Sequence, residues 1–214
     1  MVRTNIIMDK LRMEGREFVT AGELKEYCAA LGLDYWRAVH YLTKMRYLLR
    51  ILRGIFYVMS LEESRIGAPS RYNQLELVAR GLELKGVENW YFGLHTALKL
   101  NNMTHEYYAV DEVISDALFR ANPVMIAEGR FRFVKLAPAL LGFGIRREGL
   151  YKYSDPEKTI LDFVYLWLYR SVPAENIMMD VADWAGETSA DRIAEYAVYY
   201  PETVARIVAE VVPG

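Results

Sequence analysis

The first 60 residues have a pattern of apolar and polar positions that predicts a helix, a short strand, two further helices and a β-hairpin. Apolar residues at helical spacing precede Gly15, which favours the end of the first helix there, and residues 18–19 fit a short strand. Thr20 and Glu23 have the spacing of a capping box, in which the two residues satisfy free amides at a helix start. The second helix is therefore predicted to begin next to Thr20.

The third helix is predicted over 35–47, with Asp34 as its N-cap. Apolar residues fall on one side of this helix when each residue advances by about 100°. Residues 48–58 form two β-rich runs around Arg53 and Gly54, and glycine permits the positive φ of a tight hairpin turn. This order of elements is that of a winged helix-turn-helix.

The segment 61–71 has a different composition from the residues on either side. It is charged and contains glycine, proline and serine, which break helices and strands and are typical of a linker. Beyond it the patterns predict helices at 70–84, 94–100, 154–169, 189–199 and 201–212, and strands at 90–92, 107–110, 130–136 and 149–153. We therefore expect an α+β protein, with an N-terminal winged helix-turn-helix domain over 1–60 and a mixed α/β C-terminal domain over 72–214.

The helix that starts near residue 154 has a clear start signal. Ser154 and Glu157 have capping-box spacing, and Pro156 fits the first turn because its missing amide would have no partner there. Residues 160–169 are apolar nearly all round, which predicts a central helix buried in the core of the second domain.

Composition places the chain among ordinary folded proteins, with 53% hydrophobic and 25% charged residues. The single cysteine, Cys28, cannot form an intrachain disulfide, and its place on the apolar face of the second helix predicts a buried thiol. The longest uncharged stretch, ten residues between Lys135 and Arg146, is short of the roughly 20 that a membrane helix needs. No early apolar run has the form of a cleaved signal, so we expect a cytoplasmic protein.

The net charge of −2 hides an asymmetry between the two predicted domains. Residues 1–60 carry ten basic and six acidic residues, whereas the remainder carries 16 basic and 22 acidic residues. Opposite signs in two blocks indicate two units with different partners.

The third helix and the hairpin carry the clearest candidate for a binding surface. Six residues are predicted to face outward there and to contact DNA: Arg37, His40, Tyr41, Lys44, Arg50 and Arg53. Arg37 lies near the amino end of its helix, where a recognition helix reaches base edges, and its guanidinium suits a guanine. Arg46 falls on the apolar side by angle and is expected to extend along it. The alternatives are a solvated helix face and a protein-binding module.

Patterns for catalysis are absent from the sequence. His95, His105 and Glu106 lack the spacing of a zinc site, and the pair Gly142 and Gly144 lacks the context of a dinucleotide loop. We therefore expect no enzyme, no metal and no cofactor. The alternative is a nucleotide-handling enzyme, which would bind nucleotide or Mg²⁺ near one of four carboxylates: Asp111, Asp116, Glu157 or Asp162.

Three regions resemble the AbiEi-type antitoxins of type IV toxin–antitoxin (abortive infection) systems. They are FVTAGELKEY with LRILRGIFYV in the first 60 residues, WYFGLHTALKLNNMT over 90–104, and YSDPEKTILDFV over 153–164. The second is similar to the family's aromatic-Gly-Leu-x-Thr-Ala-Leu segment, and the third to its Pro-Glu-Arg/Lys-Thr-apolar-Leu-Asp signature. His95 departs from the family pattern, so no role is carried onto it.

The resemblance implies a transcriptional regulator in two parts. The amino-terminal winged helix would bind inverted repeats in double-stranded DNA at its own promoter and repress it. The C-terminal domain would act as an antitoxin against a nucleotidyltransferase-like toxin, without forming a stable complex. The polar residues of the matched motifs are the implied antitoxin residues: Thr96, Glu157, Lys158, Thr159 and Asp162. The alternative is a purely structural role for these residues, in which Glu157 would cap its helix and Lys158 with Asp162 would be a surface ion pair.

Overall fold

The computed structural model describes residues 2–186 and 188–212, which form two compact units. The first unit comprises the described residues up to Gly86 together with Ile126–Glu128. The second comprises Val87–Met125 and the described residues from Gly129 onward. The chain is α+β, as expected, but the boundary lies after Gly86 and not within 61–71. None of the helices in the described residues is long and apolar enough to cross a membrane.

The first unit follows the predicted order of elements through residue 58. Its elements are α1 (Val2–Met13), β1 (Phe18–Thr20), α2 (Ala21–Ala30), α3 (Tyr35–Lys44), β2 (Leu48–Leu52), β3 (Ile55–Val58), α4 (Leu61–Arg65) and α5 (Gln74–Leu84). The strands form an antiparallel sheet in the order β1-β3-β2. The capping box of Thr20 and Glu23 and the N-cap Asp34 are both present, which confirms those two predictions.

Both faces of this small sheet are covered, because every residue of β3 is buried. Phe56 and Val58 point into the core that α1, α2 and α3 build, and the alternation of a strand turns their neighbours to the other side. On that side α5 packs closely, since a Cβ atom at Gly81 would lie 2.8 Å from a methyl of Ile51. The helix α5 therefore belongs to the first unit, although its sequence was assigned to the C-terminal domain.

The predicted linker 61–71 is folded back onto the sheet. Ser60 and Glu63 form a capping box that starts α4, so helix formation outweighs the composition of the segment. The buried Glu63 carboxylate also accepts hydrogen bonds from the Tyr57 hydroxyl at 2.7 Å and from the Arg71 amide at 3.0 Å. Burial alone would raise the pKa of Glu63, but the hydrogen bond from the Ser60 amide, together with those from Tyr57 and Arg71, outweighs it and holds the pKa below its ordinary value.

The second unit contains a six-stranded mixed sheet and a group of helices. Its elements are β4 (Trp90–Phe92), α6 (Leu94–Leu100), β5 (Asp111–Ser115), β6 (Arg120–Ile126), β7 (Gly129–Lys135), a short 3-10 helix (Pro138–Leu140), β8 (Ile145–Glu148), β9 (Tyr151–Ser154), α7 (Pro156–Tyr169), α8 (Ala174–Ala185), α9 (Ala190–Ala197) and α10 (Glu202–Val211). The strand order is β6-β7-β5-β4-β9-β8. The pairs β5–β7 and β4–β9 are parallel, whereas β4–β5 and β8–β9 are antiparallel.

Several elements of this unit differ from the sequence predictions. The strand expected at 107–110 lies at Asp111–Ser115, and β6, β8 and α8 were not predicted. Both missed strands are sheet edges, where one side needs no partner and where proline and charged residues are tolerated. Their sequences, RANPVMI and IRRE, therefore lack the apolar alternation of an inner strand.

The helix α7 is the centre of the second unit, as predicted. Ten of its 14 residues are buried, and it packs against α6, α8, α9 and α10. Its N-cap is Asp155 and not Ser154, because the Asp155 carboxylate accepts the Lys158 amide at 2.9 Å. The Ser154 hydroxyl instead bonds the Thr159 hydroxyl at 2.7 Å.

Candidate nucleic-acid interface

The helix α3 separates its apolar and polar sides as its sequence predicts. Ala38 and Leu42 are buried in the core of the first unit. Of the four contact residues predicted on this helix, Arg37, His40 and Lys44 are exposed. The fourth, Tyr41, is half-buried. The Asp34 carboxylate accepts the Arg37 amide at 2.8 Å, which fixes the amino end of the helix. Arg37, His40 and Lys44 therefore form one outward face, and Tyr41 lies at its edge, packed in part against the core of the first unit.

The hairpin between β2 and β3 places two more cations at the surface. Arg50 is exposed on β2, and Arg53 is exposed in the two-residue turn that Gly54 completes with φ of 84°. The Gly54 carbonyl accepts the Ala21 amide at 2.8 Å, so the turn is held against the start of α2. The hairpin is therefore short and fixed in position.

The cations of this surface lack ion pairs. Among the residues that the structure describes, Arg37, Lys44, Arg50 and Arg53 have no carboxylate oxygen within 4.0 Å, whereas Arg16 pairs with Glu23 and Arg71 with Glu17. Within the described part of the chain, these four cations of α3 and the hairpin are therefore without an ion pair. We call these four cations with His40 and Tyr41 the α3–hairpin surface.

Three residues near this surface were missed or misplaced by sequence reasoning. Trp36 is 75% exposed next to His40 on the helix, although an indole of that size is usually buried. Lys85, the C-cap of α5, donates to the Arg53 carbonyl at 3.3 Å and adds a cation beside the turn. Arg46, expected along the apolar side, is exposed because the chain has left the helix and adopts φ of 55° there. Helical angles would have found Trp36, but nothing local connects Lys85 to the turn.

The five residues of the matched motifs lie inside the second unit, not on its surface. Each is at most 4% exposed: Thr96, Glu157, Lys158, Thr159 and Asp162. The surface ion pair proposed for Lys158 and Asp162 is therefore wrong, since both side chains are fully buried. Glu157 does not cap α7 either. Its carboxylate accepts the Ser189 amide at 3.0 Å and so joins the segment before α9 to α7.

Lys158 and Asp162 are the centre of a buried polar network. The Lys158 ammonium donates to the Leu140 carbonyl at 2.6 Å and lies 3.3 Å from an Asp162 carboxylate oxygen. The Tyr91 and Tyr200 hydroxyls each donate to Asp162 at 2.7 Å. Burial lowers the pKa of Lys158, and burial together with the Asp162 charge raises the pKa of both tyrosines well above the ordinary value.

A second network connects the start of α7 to α9. Arg192 donates to the buried Asp155 carboxylate at 2.6 Å, and the Tyr196 hydroxyl donates to the same oxygen at 3.0 Å. Burial nevertheless raises the pKa of Asp155. These contacts hold two helices together, which is a structural task.

Among the candidate metal and nucleotide ligands, His95, Asp111 and Asp116 each contact a side chain of the second unit. His95 contacts Glu112, with 2.9 Å between the ring nitrogen and a carboxylate oxygen, and Thr96 accepts the Glu112 amide at 2.7 Å. Asp111 pairs with Lys99, and Asp116 accepts the Asn89 amide group. Within residues 2–186 and 188–212, no three histidine, cysteine, aspartate or glutamate side chains are placed to hold a metal ion.

Comparison with known proteins gives a likeness in fold. No family model matches the chain, and no curated protein matches it. The crystal structure of the RV2827C protein from Mycobacterium tuberculosis is similar, with a TM-score of 0.59 over 99% of this chain and 76% of that chain. The two sequences are 13% identical, so this likeness concerns the fold alone.

Proposed function

We propose that the protein is a DNA-binding transcriptional autorepressor and the antitoxin of a type IV toxin–antitoxin system, acting in the cytoplasm. The first unit is, in this proposal, a winged helix-turn-helix, with α3 as recognition helix and the β2–β3 hairpin as wing. The observation that supports it is the α3–hairpin surface, an exposed face whose cations have no carboxylate partner among the described residues.

The physical basis is the charge and the shape of duplex DNA. A helix fits the major groove, and a cation near its amino end reaches base edges, so Arg37 would contact a guanine. Lys44, Arg50 and Arg53 would neutralise phosphates, which releases counterions and supplies affinity that falls with salt. Two copies on an inverted repeat at the protein's own promoter would give repression.

The antitoxin role rests on the resemblance of the motifs and is assigned to the second unit. The motif residues are buried, so they would stabilise the fold of that unit. The surface of the unit would counter a nucleotidyltransferase-like toxin. The resemblance implies that no stable complex forms. We propose no catalytic activity and no cofactor for the chain.

A titration of labelled duplex from the protein's own upstream region, at several salt concentrations, tests the repressor role. We expect wild-type affinity to fall with salt. Arg37→Ala should weaken binding and relax the preference for guanine at the contacted position, whereas Arg53→Ala should weaken binding to all sequences and reduce the slope of log affinity against log salt by about one. Arg206→Ala removes an exposed cation from α10 and is the matched control. Variants that bind as tightly as wild type would overturn the assignment of the α3–hairpin surface.

Growth assays test the antitoxin role separately. The neighbouring nucleotidyltransferase-like protein, where one is encoded, should inhibit growth when it is expressed alone. Co-expression of this chain should restore growth. A truncated chain is not needed, because Arg37→Ala with Arg53→Ala should abolish repression and leave rescue intact. Loss of rescue in these surface variants, with normal thermal unfolding, would contradict the assignment of repression to the first unit and of the antitoxin role to the second.

Trp36 favours a second candidate, a winged-helix adaptor that binds a protein. Tryptophan is enriched at the centre of protein interfaces, and this one is 75% exposed on α3. The adaptor predicts no shift of duplex DNA and a protein partner whose binding is insensitive to salt. Trp36→Ala would then remove binding altogether, whereas Arg53→Ala would leave it unchanged.

A further inference from the structure

A groove in the second unit is lined by cations and aromatic rings. It has a volume of about 810 Å³ and lies between the end of β7, the start of β6 and the last turn of α7. Buried apolar residues such as Leu136 and Leu166 form its floor. This volume lies toward the upper end of the roughly 300–1,000 Å³ found for pockets that bury a drug-sized molecule. The groove therefore has room for a segment of a chain as well as for a small ligand.

Every charged side chain that lines the groove is basic. The cations are Arg120, Arg132, Lys135 and Arg170. Among the described residues, Arg120, Lys135 and Arg170 have no carboxylate oxygen within 4.0 Å, and Arg132 lies 3.4 Å from Glu112. A concave surface with several cations and no lining acid concentrates anions at its walls. The ligand that fits this surface is an anion with more than one charge.

Aromatic rings at the groove limit which anion fits. Phe119 is 58% exposed and Tyr169 is 81% exposed, and both line the groove. Neither ring stacks on another ring within the described part of the chain, unlike Tyr165, which contacts Tyr200. Large exposed rings beside unpaired cations suit a ligand in which phosphates alternate with flat bases.

We propose that this groove binds single-stranded nucleic acid, with phosphates on its cations and unpaired bases on Phe119 and Tyr169. In a duplex the base faces are covered by their neighbours, so stacking on these two rings is open only to unpaired bases. The site is separate from the α3–hairpin surface and does not depend on the proposed repressor role. It would give the second unit a nucleic-acid ligand of its own.

Fluorescence anisotropy of the full chain tests the proposal with three labelled probes. They are an oligo(dT) and an oligo(rU) of about twelve nucleotides and a duplex of unrelated sequence and the same length. In the double variant Arg37→Ala with Arg53→Ala, which removes two cations proposed to contact duplex DNA, we expect at least one single strand to bind more tightly than the duplex. The two single-strand arms identify DNA, RNA or both as the ligand. Tyr169→Ala should weaken single-strand binding roughly five- to 150-fold, since one stacked base is lost. Lys135→Ala with Arg170→Ala should weaken it by at least about tenfold and lower its dependence on salt.

Matched controls distinguish this site from a general charge effect. Tyr107→Ala removes a tyrosine that is 90% exposed outside the groove, and Arg206→Ala removes a cation outside it. Both should bind single strands like wild type, and so should Arg37→Ala with Arg53→Ala. The proposal is overturned if no single strand binds, if the duplex binds more tightly even in Arg37→Ala with Arg53→Ala, or if groove and control variants lose affinity equally. The repressor role is judged on operator duplex, so either proposal can fail alone.

Discussion

Lys158 and Asp162 stand one helical turn apart on α7, and their charged groups lie 3.3 Å from each other with both side chains fully excluded from solvent. At the surface such a pair contributes about 0.5 kcal/mol or less to a helix. Inside a protein it brings a desolvation penalty of several kcal/mol for each ion, which is offset only when further hydrogen bonds complete the geometry. The Leu140 carbonyl and two tyrosine hydroxyls supply those bonds here. The motif PEKTILD is therefore the polar centre of the second unit.

Removing the lysine should destabilise the protein strongly. In Lys158→Met the Asp162 carboxylate stays buried without its cation, and we expect the free energy of unfolding to fall by about 3–5 kcal/mol. The double variant Lys158→Met with Asp162→Asn leaves no charge uncompensated. Tyr91 and Tyr200 donate to different oxygens of Asp162, so the asparagine oxygen accepts from one hydroxyl and its NH2 group donates to the other. The double variant should be more stable than Lys158→Met alone, by about 1–3 kcal/mol. Denaturant unfolding of the two single variants and the double variant measures this coupling, and additive losses would contradict a direct interaction.

Gly144 should tolerate no side chain, because α7 passes directly beside it. It has φ of 61°, and an added Cβ would lie 2.8 Å from Cβ of Lys158. Gly149 has φ of 54° but nothing within 4 Å of such a Cβ atom, so it is a control with similar backbone strain and open space. Gly149→Ala should cost about 1–2 kcal/mol from the left-handed backbone alone. Gly144→Ala should cost a further 1–3 kcal/mol or so from overpacking. Equal losses in thermal unfolding would show that the close packing is absent.

Local periodicity was enough to predict the first unit up to residue 58 and the outward face of α3. The reason is that Arg37, His40 and Lys44 lie on one side through helix geometry alone. The end of the unit was not predictable in this way, since α5 is held by contacts of Gly81 with Ile51, 30 residues earlier in the chain.

The environment of the α7 motif was also beyond local patterns. Lysine and aspartate four residues apart have the same spacing at a surface and in a core. What decides between them is the Leu140 carbonyl and the Tyr200 hydroxyl, which come from 18 and 42 residues away along the chain. Ser154 and Asp155 are a similar case, since both residues suit an N-cap and only the fold selects Asp155.

Asp155 should make stability decrease with pH above its ordinary pKa of 3.8. Burial raises its pKa in the folded protein, although Lys158, Tyr196 and Arg192 oppose the shift. Between 3.8 and the raised value the folded state holds a proton that the unfolded state has released. Raising the pH across that window therefore lowers the free energy of unfolding. The stability of wild type minus that of Asp155→Asn, measured from pH 3 upward in steps of about one unit, should fall across the window and level off above it.

Arg192→Gln provides a second measurement of the same effect. Arg192 lies 2.6 Å from the Asp155 carboxylate, so its removal should raise the pKa of Asp155 further and extend the falling part of the curve to higher pH. A difference curve that rises with pH would mean that the ion pair outweighs burial and would contradict the prediction.

Cys28 should be inert in the folded protein. Its side chain is 2% exposed in the core of the first unit, and burial, with a smaller contribution from the Asp34 charge, raises the pKa of the thiol. A thiolate is the reactive form, so both access and ionisation oppose attack. A chromogenic disulfide reagent should react slowly with native protein, and one thiol per chain should react at once in denaturant. The native reaction should also accelerate in Leu42→Ala, which opens the same core and costs about 2–5 kcal/mol. Rapid stoichiometric labelling of the native wild type would show that α2 exposes this residue.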